Sequence, residues 1–222
     1  MYFLIFIAFM ILSLIVSQVL KSKIKKYSAI PIGLTGKEVA EKMLRENGIY
    51  DVQVISVDGQ LTDHYNPQTK TVNLSQEVFD KNSIAAAAVA AHECGHAVQH
   101  SKAYAFLQFR SALVPVISFA SNWVQWILLA GILLINTFPQ LLLTGIAIFA
   151  LTTLFSFVTL PVEIDASRRA LLWLENSGIT SGDNQAKAKD ALSWAAYTYV
   201  IAALGSLATL LYYIMIFNGR RN

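Results

Sequence analysis

Apolar positions along the chain fall into four long blocks separated by polar stretches. Met1 to Leu20 carries no charge, and twenty helical residues rise about 30 Å, the depth of bilayer hydrocarbon. Three further blocks run from about Leu113 to Ile135, from about Leu141 to Leu160, and from about Trp194 to Phe217. Asn136-Thr-Phe-Pro-Gln140 is a short turn that makes a hairpin of the middle two. The pattern divides the chain into a transmembrane anchor (1–22), a polar segment (23–112), a transmembrane hairpin (113–160), a second polar segment (161–193) and a last transmembrane helix with its tail (194–222). The predicted class is a membrane α+β protein, mainly α-helical, with four transmembrane helices.

The first polar segment has shorter periods. A linker with Pro31 and Gly33 leads to Thr35-Gly-Lys-Glu38, a capping box, and Val39, Ala40, Met43 and Leu44 then form an apolar stripe at helical spacing. Asn47-Gly48 ends that helix. Val52 to Val57 is rich in β-branched residues, and Asp58-Gly59 is a hairpin signal. Leu61 to Tyr65 and Thr71 to Leu74 complete a predicted antiparallel meander, with Asn66-Pro67 turning the chain between them. Ser75 to Asp80 reads as a helical turn or loop. Ser83 is a good N-cap for the alanine-rich run that follows to His100, which predicts a helix of about five turns. Asn184 to Ser193 reads as a helix running into the last block.

Composition agrees with the membrane reading. The chain is 55% hydrophobic and 14% charged, too apolar for an ordinary soluble domain. The first block lacks a basic leader and an A-x-A cleavage site, which points to a signal anchor. Lys21, Lys23, Lys25 and Lys26 follow it and, by the positive-inside rule, place both polar segments in the cytoplasm. Arg220 and Arg221 then fall outside, against the rule; the first helix and the lysine cluster outvote them. The net charge of +3 is juxtamembrane, with no aromatic-interleaved basic patch, so nucleic acid is not an expected partner. The single cysteine, Cys94, forbids an intramolecular disulfide, suits a reducing cytosol and reads as a small packing residue.

Candidate chemistry centres on His92-Glu93-Cys94-Gly95-His96. On a helix, His92 and His96 project from one face and can share a metal ion, while Glu93 stands one step round as a general base. Two imidazoles with an open position favour catalytic zinc. His100 is one turn further along, a supporting or solvent-facing residue; a metzincin would carry its third histidine at the position of Lys102. The third ligand must come from elsewhere, and Leu160-Pro-Val-Glu163-Ile-Asp165-Ala-Ser167 is the best source. Glu163 is the first choice and Asp165 the fallback. Two membrane crossings separate His96 from Glu163, so both return to the same side whichever way the chain faces. Asp165 and Ser167 are placed to support a ligand histidine, and Arg168 and Arg169 to pair with these acids or with lipid headgroups. Candidate oxyanion or substrate contacts are His64, Tyr65, Tyr197 and Arg168. In metallopeptidases an edge strand ahead of the metal helix can pair with an extended peptide. Within the spans, Tyr199, Tyr212 and Tyr213 read as interfacial residues, and Asn122 and Gln125 as hydrogen-bonding partners of neighbouring helices.

These residues resemble the YugP-type bacterial membrane zinc metallopeptidases, gluzincin-like proteins more distantly similar to HtpX and the CAAX prenyl proteases. The resemblance rests on Leu61-Thr-Asp-His-Tyr65, Ala90 to His100, Arg110-Ser-Ala-Leu-Val-Pro115, Leu160 to Ser167 and the final apolar block. It implies one zinc ion per chain held by His92, His96 and Glu163, with Glu93 as general base. Cys94 stands where an aliphatic residue is expected, and Ser167 where HtpX-like proteins carry an acid.

The expected function is therefore a multi-pass zinc metalloendopeptidase of the bacterial cell membrane, its active site facing the cytoplasm and its substrate a membrane-associated protein or peptide. The alternative is a non-catalytic scaffold or adaptor stabilised by zinc. A metal transporter would need acidic or histidine ligands inside the spans, which carry only Asn, Gln and hydroxyl groups. Four spans around a site at the membrane surface leave room for a homo-oligomer or a membrane-protein partner.

Overall fold

The structure is a computed structural model that describes residues 2–219; Arg220 and Arg221 lie outside the described residues. The chain order is α1 (Tyr2–Tyr27), α2 (Gly36–Glu46), β1 (Gln53–Val57), β2 (His64–Asn66), β3 (Thr71–Ser75), α3 (Gln76–Phe79), α4 (Ile84–Ser101), α5 (Ala105–Leu133), α6 (Pro139–Asn176) and α7 (Gly182–Gly219). The fold is mainly helical with one small sheet. Four helices, α1, α5, α6 and α7, are long and apolar enough to cross a membrane. They outrun the apolar blocks of the sequence. In particular α6 continues past Leu160 through Glu163 to Asn176, so the acidic string extends one of these four long apolar helices.

The chain divides into two compact units. One comprises the residues up to Ile15, Gln108–Leu160 and the chain from Thr198 on. Its core is Val124, Leu128, Leu142 and Ile146. The backbone of α6 at Leu142 comes within 2.6 Å of where a Cβ on Gly131 would stand.

The second unit, Val16–Leu107 with Pro161–Tyr197, holds the sheet, α2 and α4. Thr35 caps α2 as its sequence requires: its hydroxyl accepts from the Glu38 amide and the Glu38 carboxylate accepts from the Thr35 amide. Gly48, at φ +73°, carries the chain out of the helix in the left-handed region. Ser83 caps α4 by accepting from the Ala86 amide at 3.2 Å. The alanines of α4 are buried on nearly every side, because a side chain of one carbon lets α2 and the sheet approach the helix closely. Val39, Ala40, Met43 and Leu44 from α2, Val72 and Leu74 from β3, and Ala170 and Leu174 from α6 close the core around them. At the margin, Asp190 of α7 accepts from the Tyr27 hydroxyl at 2.6 Å and pairs with Lys23 at 2.7 Å.

The sheet corrects the predicted meander. Its order is β1-β3-β2. β1 runs parallel to β3, with Val54 opposite Val72, and β2 runs antiparallel to β3, with Tyr65 opposite Val72. Asp58-Gly59 therefore closes no hairpin; residues 58–63 carry the chain past the end of β3, with Gly59 and Leu61 at positive φ. Burial explains the order. β3 is buried along most of its length, whereas β1 and β2 are largely open. The strand whose two faces are both covered takes the centre, and local turn signals do not override that preference.

Candidate metal centre

The site lies wholly in the second unit, on α4, on α6 after Pro161, and on β2. His92 and His96 sit one turn apart on α4, with ring centroids 4.9 Å apart and planes at 85°. Glu163 projects from α6 and is almost fully buried. The helices meet closely because of one residue. A Cβ on Gly95 would stand 2.6 Å from the backbone oxygen of Ala166 and 3.1 Å from its Cα. Gly95 between the histidines and Ala166 one turn beyond Glu163 thus form the crossing point that brings the carboxylate to the imidazoles.

Glu163 Oε2 lies 3.3 Å from His92 Nε2 and 3.5 Å from His96 Nε2. Among the described residues these three side chains form a potential metal-binding group, with donor atoms within 4.8 Å of one another. The other ring nitrogens are occupied: His92 Nδ1 contacts Ser167 Oγ at 3.0 Å and His96 Nδ1 contacts Gln99 Oε1 at 3.0 Å. Both rings therefore turn Nε2 toward the carboxylate. Burial works against a charged His96, yet the hydrogen bond to Glu163, the nearby Glu93 and Glu163 charges and the contact with Gln99 together raise its pKa. The pocket favours positive charge. Two imidazole nitrogens and one carboxylate oxygen, mutually close and already oriented, fit zinc with a fourth position left for water or substrate.

Glu93 stands beside this set. Its carboxylate is buried and accepts from the backbone amide of Tyr65 at 3.1 Å, which ties β2 to α4. Asp63 fixes the approach to that strand: one of its carboxylate oxygens accepts from the Ser75 amide at 2.8 Å and from the Ser75 hydroxyl. Burial pushes the Asp63 carboxyl up from its ordinary value, against the pull of those donors.

The remaining expected residues separate into groups. Ser167 reaches His92 directly. Asp165 is outside the three-donor group; it accepts from Gln99 Nε2 at 2.9 Å and from Arg169 Nε at 2.5 Å. His100 is exposed and faces Tyr65, whose hydroxyl lies 2.8 Å from its Nδ1. His64 is exposed and bound to its own loop through Thr62 O. Tyr197 is half-exposed and packs edge-on against Trp194, and Arg168 points to the outside. Cys94 faces α2, where its thiol lies 3.6 Å from Ala40 O, and burial pushes that thiol well above its ordinary pKa.

Gln99 is the site residue that the sequence reading missed. It is fully buried and binds both His96 and α6. A signal existed: at about 100° per residue, Gln99 falls within about 20° of His92 round the helix, nearer the histidine stripe than His100.

Comparison with known proteins reports the same chemistry. The family described as "Putative neutral zinc metallopeptidase" matches residues 2–218. A Bacillus subtilis (strain 168) protein, "Putative membrane protease YugP", is 43% identical over 203 residues, covering 90% of this chain and 89% of that protein. No solved structure matches the chain.

Proposed function

The chain belongs to the family described as "Putative neutral zinc metallopeptidase", and from that premise we propose that it is a multi-pass membrane metalloprotease hydrolysing peptide bonds at the cytoplasmic membrane surface. One observation carries the reading: two imidazoles and a carboxylate from separate helices converge, while a further buried carboxylate, Glu93, stands next to them outside the set.

His92, His96 and Glu163 would hold the zinc ion, which when bound would supply Lewis-acid polarisation of the scissile carbonyl and a water of lowered pKa, about 7. Glu93 takes the proton of the attacking water and delivers it to the leaving amine. The Tyr65 amide binds Glu93 Oε2 at 3.1 Å, and the other carboxylate oxygen is the one assigned to accept the proton. β2 is an edge strand beside Glu93, and an extended substrate can add to it through main-chain hydrogen bonds. Of the four residues expected as oxyanion contacts, Tyr65 is the one whose backbone amide binds Glu93, while its hydroxyl meets His100.

Four apolar helices support the membrane placement, and the curated relative is itself named a membrane protease. The lysine cluster after the first block supports the cytoplasmic orientation. The scaffold alternative is less well supported, since a purely structural zinc site closes with four protein ligands and the described group supplies three.

The test is Glu93→Gln in the purified full-length chain. Zinc content by metal analysis is expected to stay at one per chain, while hydrolysis of an unfolded protein substrate falls by about 10²–10⁴-fold. Unimpaired hydrolysis would exclude the proposed role of Glu93.

A further inference from the structure

We propose that Gln99 is a positioning residue whose side-chain amide fixes the tautomer of His96, so that the Nε2 lone pair faces the metal position. The proposal rests on reading His92, His96 and Glu163 as a zinc centre.

The hydrogen bonds leave one arrangement of this amide. Gln99 has no exposed surface, so its polar atoms must be satisfied inside the protein. One end lies 2.7 Å from Val162 O and 2.9 Å from Asp165 Oδ2. The Val162 carbonyl can only accept, so the group facing it is the amide NH2. Its two hydrogens serve Val162 and Asp165. Oε1 must then face His96 Nδ1, at 3.0 Å. A carbonyl oxygen only accepts as well, so Nδ1 carries the proton. In the neutral ring Nε2 is then the bare nitrogen, the form that binds a metal.

Asp165 holds the amide in this sense. Its Oδ2 also receives Arg169 Nε, and the Arg169 guanidinium lies 5.9 Å from the centre of the Tyr104 ring. The chain of contacts runs Tyr104, Arg169, Asp165, Gln99, His96. An amide between Asp165 and the imidazole passes on orientation without setting another carboxylate against the ring. His92 is held differently. Its Nδ1 meets the Ser167 hydroxyl, which can donate or accept and so dictates no tautomer.

The experiment uses the full-length protein in detergent and two readouts that need no catalysis: zinc affinity by competition with a chelating indicator, and the visible spectrum of the cobalt-substituted protein. Gln99→Leu keeps the volume but removes the acceptor, and is expected to weaken zinc binding by about 10–100-fold and change the cobalt spectrum. Gln99→Glu alone turns a carboxylate against Asp165 and Val162 O and is expected to weaken it similarly. Adding Asp165→Asn to Gln99→Glu turns a donor toward the carboxylate at one of its two contacts, leaving Val162 O opposite an acceptor, while an oxygen still faces His96 Nδ1, and is expected to recover part of the affinity. Packing alone would not give that recovery.

Zinc affinity of Gln99→Leu equal to the parent, at the parent's metal-free unfolding temperature, overturns the proposal. So does a loss in Gln99→Glu that the paired substitution leaves undiminished. If Gln99→Leu does not fold, Gln99→Glu with and without Asp165→Asn decides. A parent protein that binds zinc but hydrolyses nothing overturns the peptidase reading and leaves Gln99 in place; a parent that binds no zinc overturns both.

Discussion

Gly95→Ala is the substitution that most sharply separates the stability of α4 from the geometry of the site. An added Cβ would stand 2.6 Å from the Ala166 oxygen and 3.1 Å from its carbonyl carbon and Cα. Ordinary contacts are about 3.5 Å, so the helices must part by roughly 1 Å at this point. Glu163 is one turn away on the same helix, and its carboxylate moves with the backbone. Metal–ligand distances tolerate about 0.2 Å, so the three donors lose their common position. The helix itself gains about 1 kcal/mol in propensity from alanine, while overpacking costs about 1–3 kcal/mol. The metal-free protein is therefore expected to lose no more than about 2 kcal/mol on thermal unfolding. Zinc affinity, measured by competition, is expected to fall by at least about tenfold. The clash is with backbone, so adding Ala166→Gly does not relieve it. Parent-like zinc affinity in Gly95→Ala would refute the proposed crossing point.

Other expectations follow from the same contacts. Ser167→Ala removes the Nδ1 partner of His92 and is expected to weaken zinc binding less than Gln99→Leu does, because a hydroxyl imposes no tautomer; equal losses would contradict that ranking. Cys94 is buried, with its thiol pKa pushed up, so iodoacetamide at neutral pH is expected to label it only after denaturation; rapid labelling of the native protein by mass spectrometry would contradict the packing of α2 on α4. Thr35→Ala removes the α2 cap and is expected to cost about 1 kcal/mol on unfolding with no change in zinc affinity.

Local signals in the sequence reached local structure. The caps at Thr35 and Ser83, the turn at Asn47-Gly48 and the apolar blocks each depend on residues within one or two turns, and α2, α4 and the four long helices follow them. The order of the strands did not follow, because Asp58-Gly59 is a local signal and the central place of β3 is decided by burial against α2 and α4. The site divides in the same way. The spacing of His92 and His96 is local to one helix. That Glu163 comes to them, that Ser167 meets His92 and that Asp165 acts on Gln99 all depend on where α6 crosses α4, some seventy residues away in the chain. Gly95 and Ala166 encode that crossing, but a glycine in a helix gives no sign of what it meets.

The central claim is that one zinc ion is held by His92, His96 and Glu163, with Glu93 outside its coordination. Zinc K-edge absorption spectroscopy of the full-length protein tests it most directly. The expected spectrum fits two imidazoles with only oxygen besides, unchanged in Glu93→Gln and altered or lost in Glu163→Ala. A sulfur neighbour, a third imidazole, or a Glu163→Ala spectrum identical to that of the parent would contradict it.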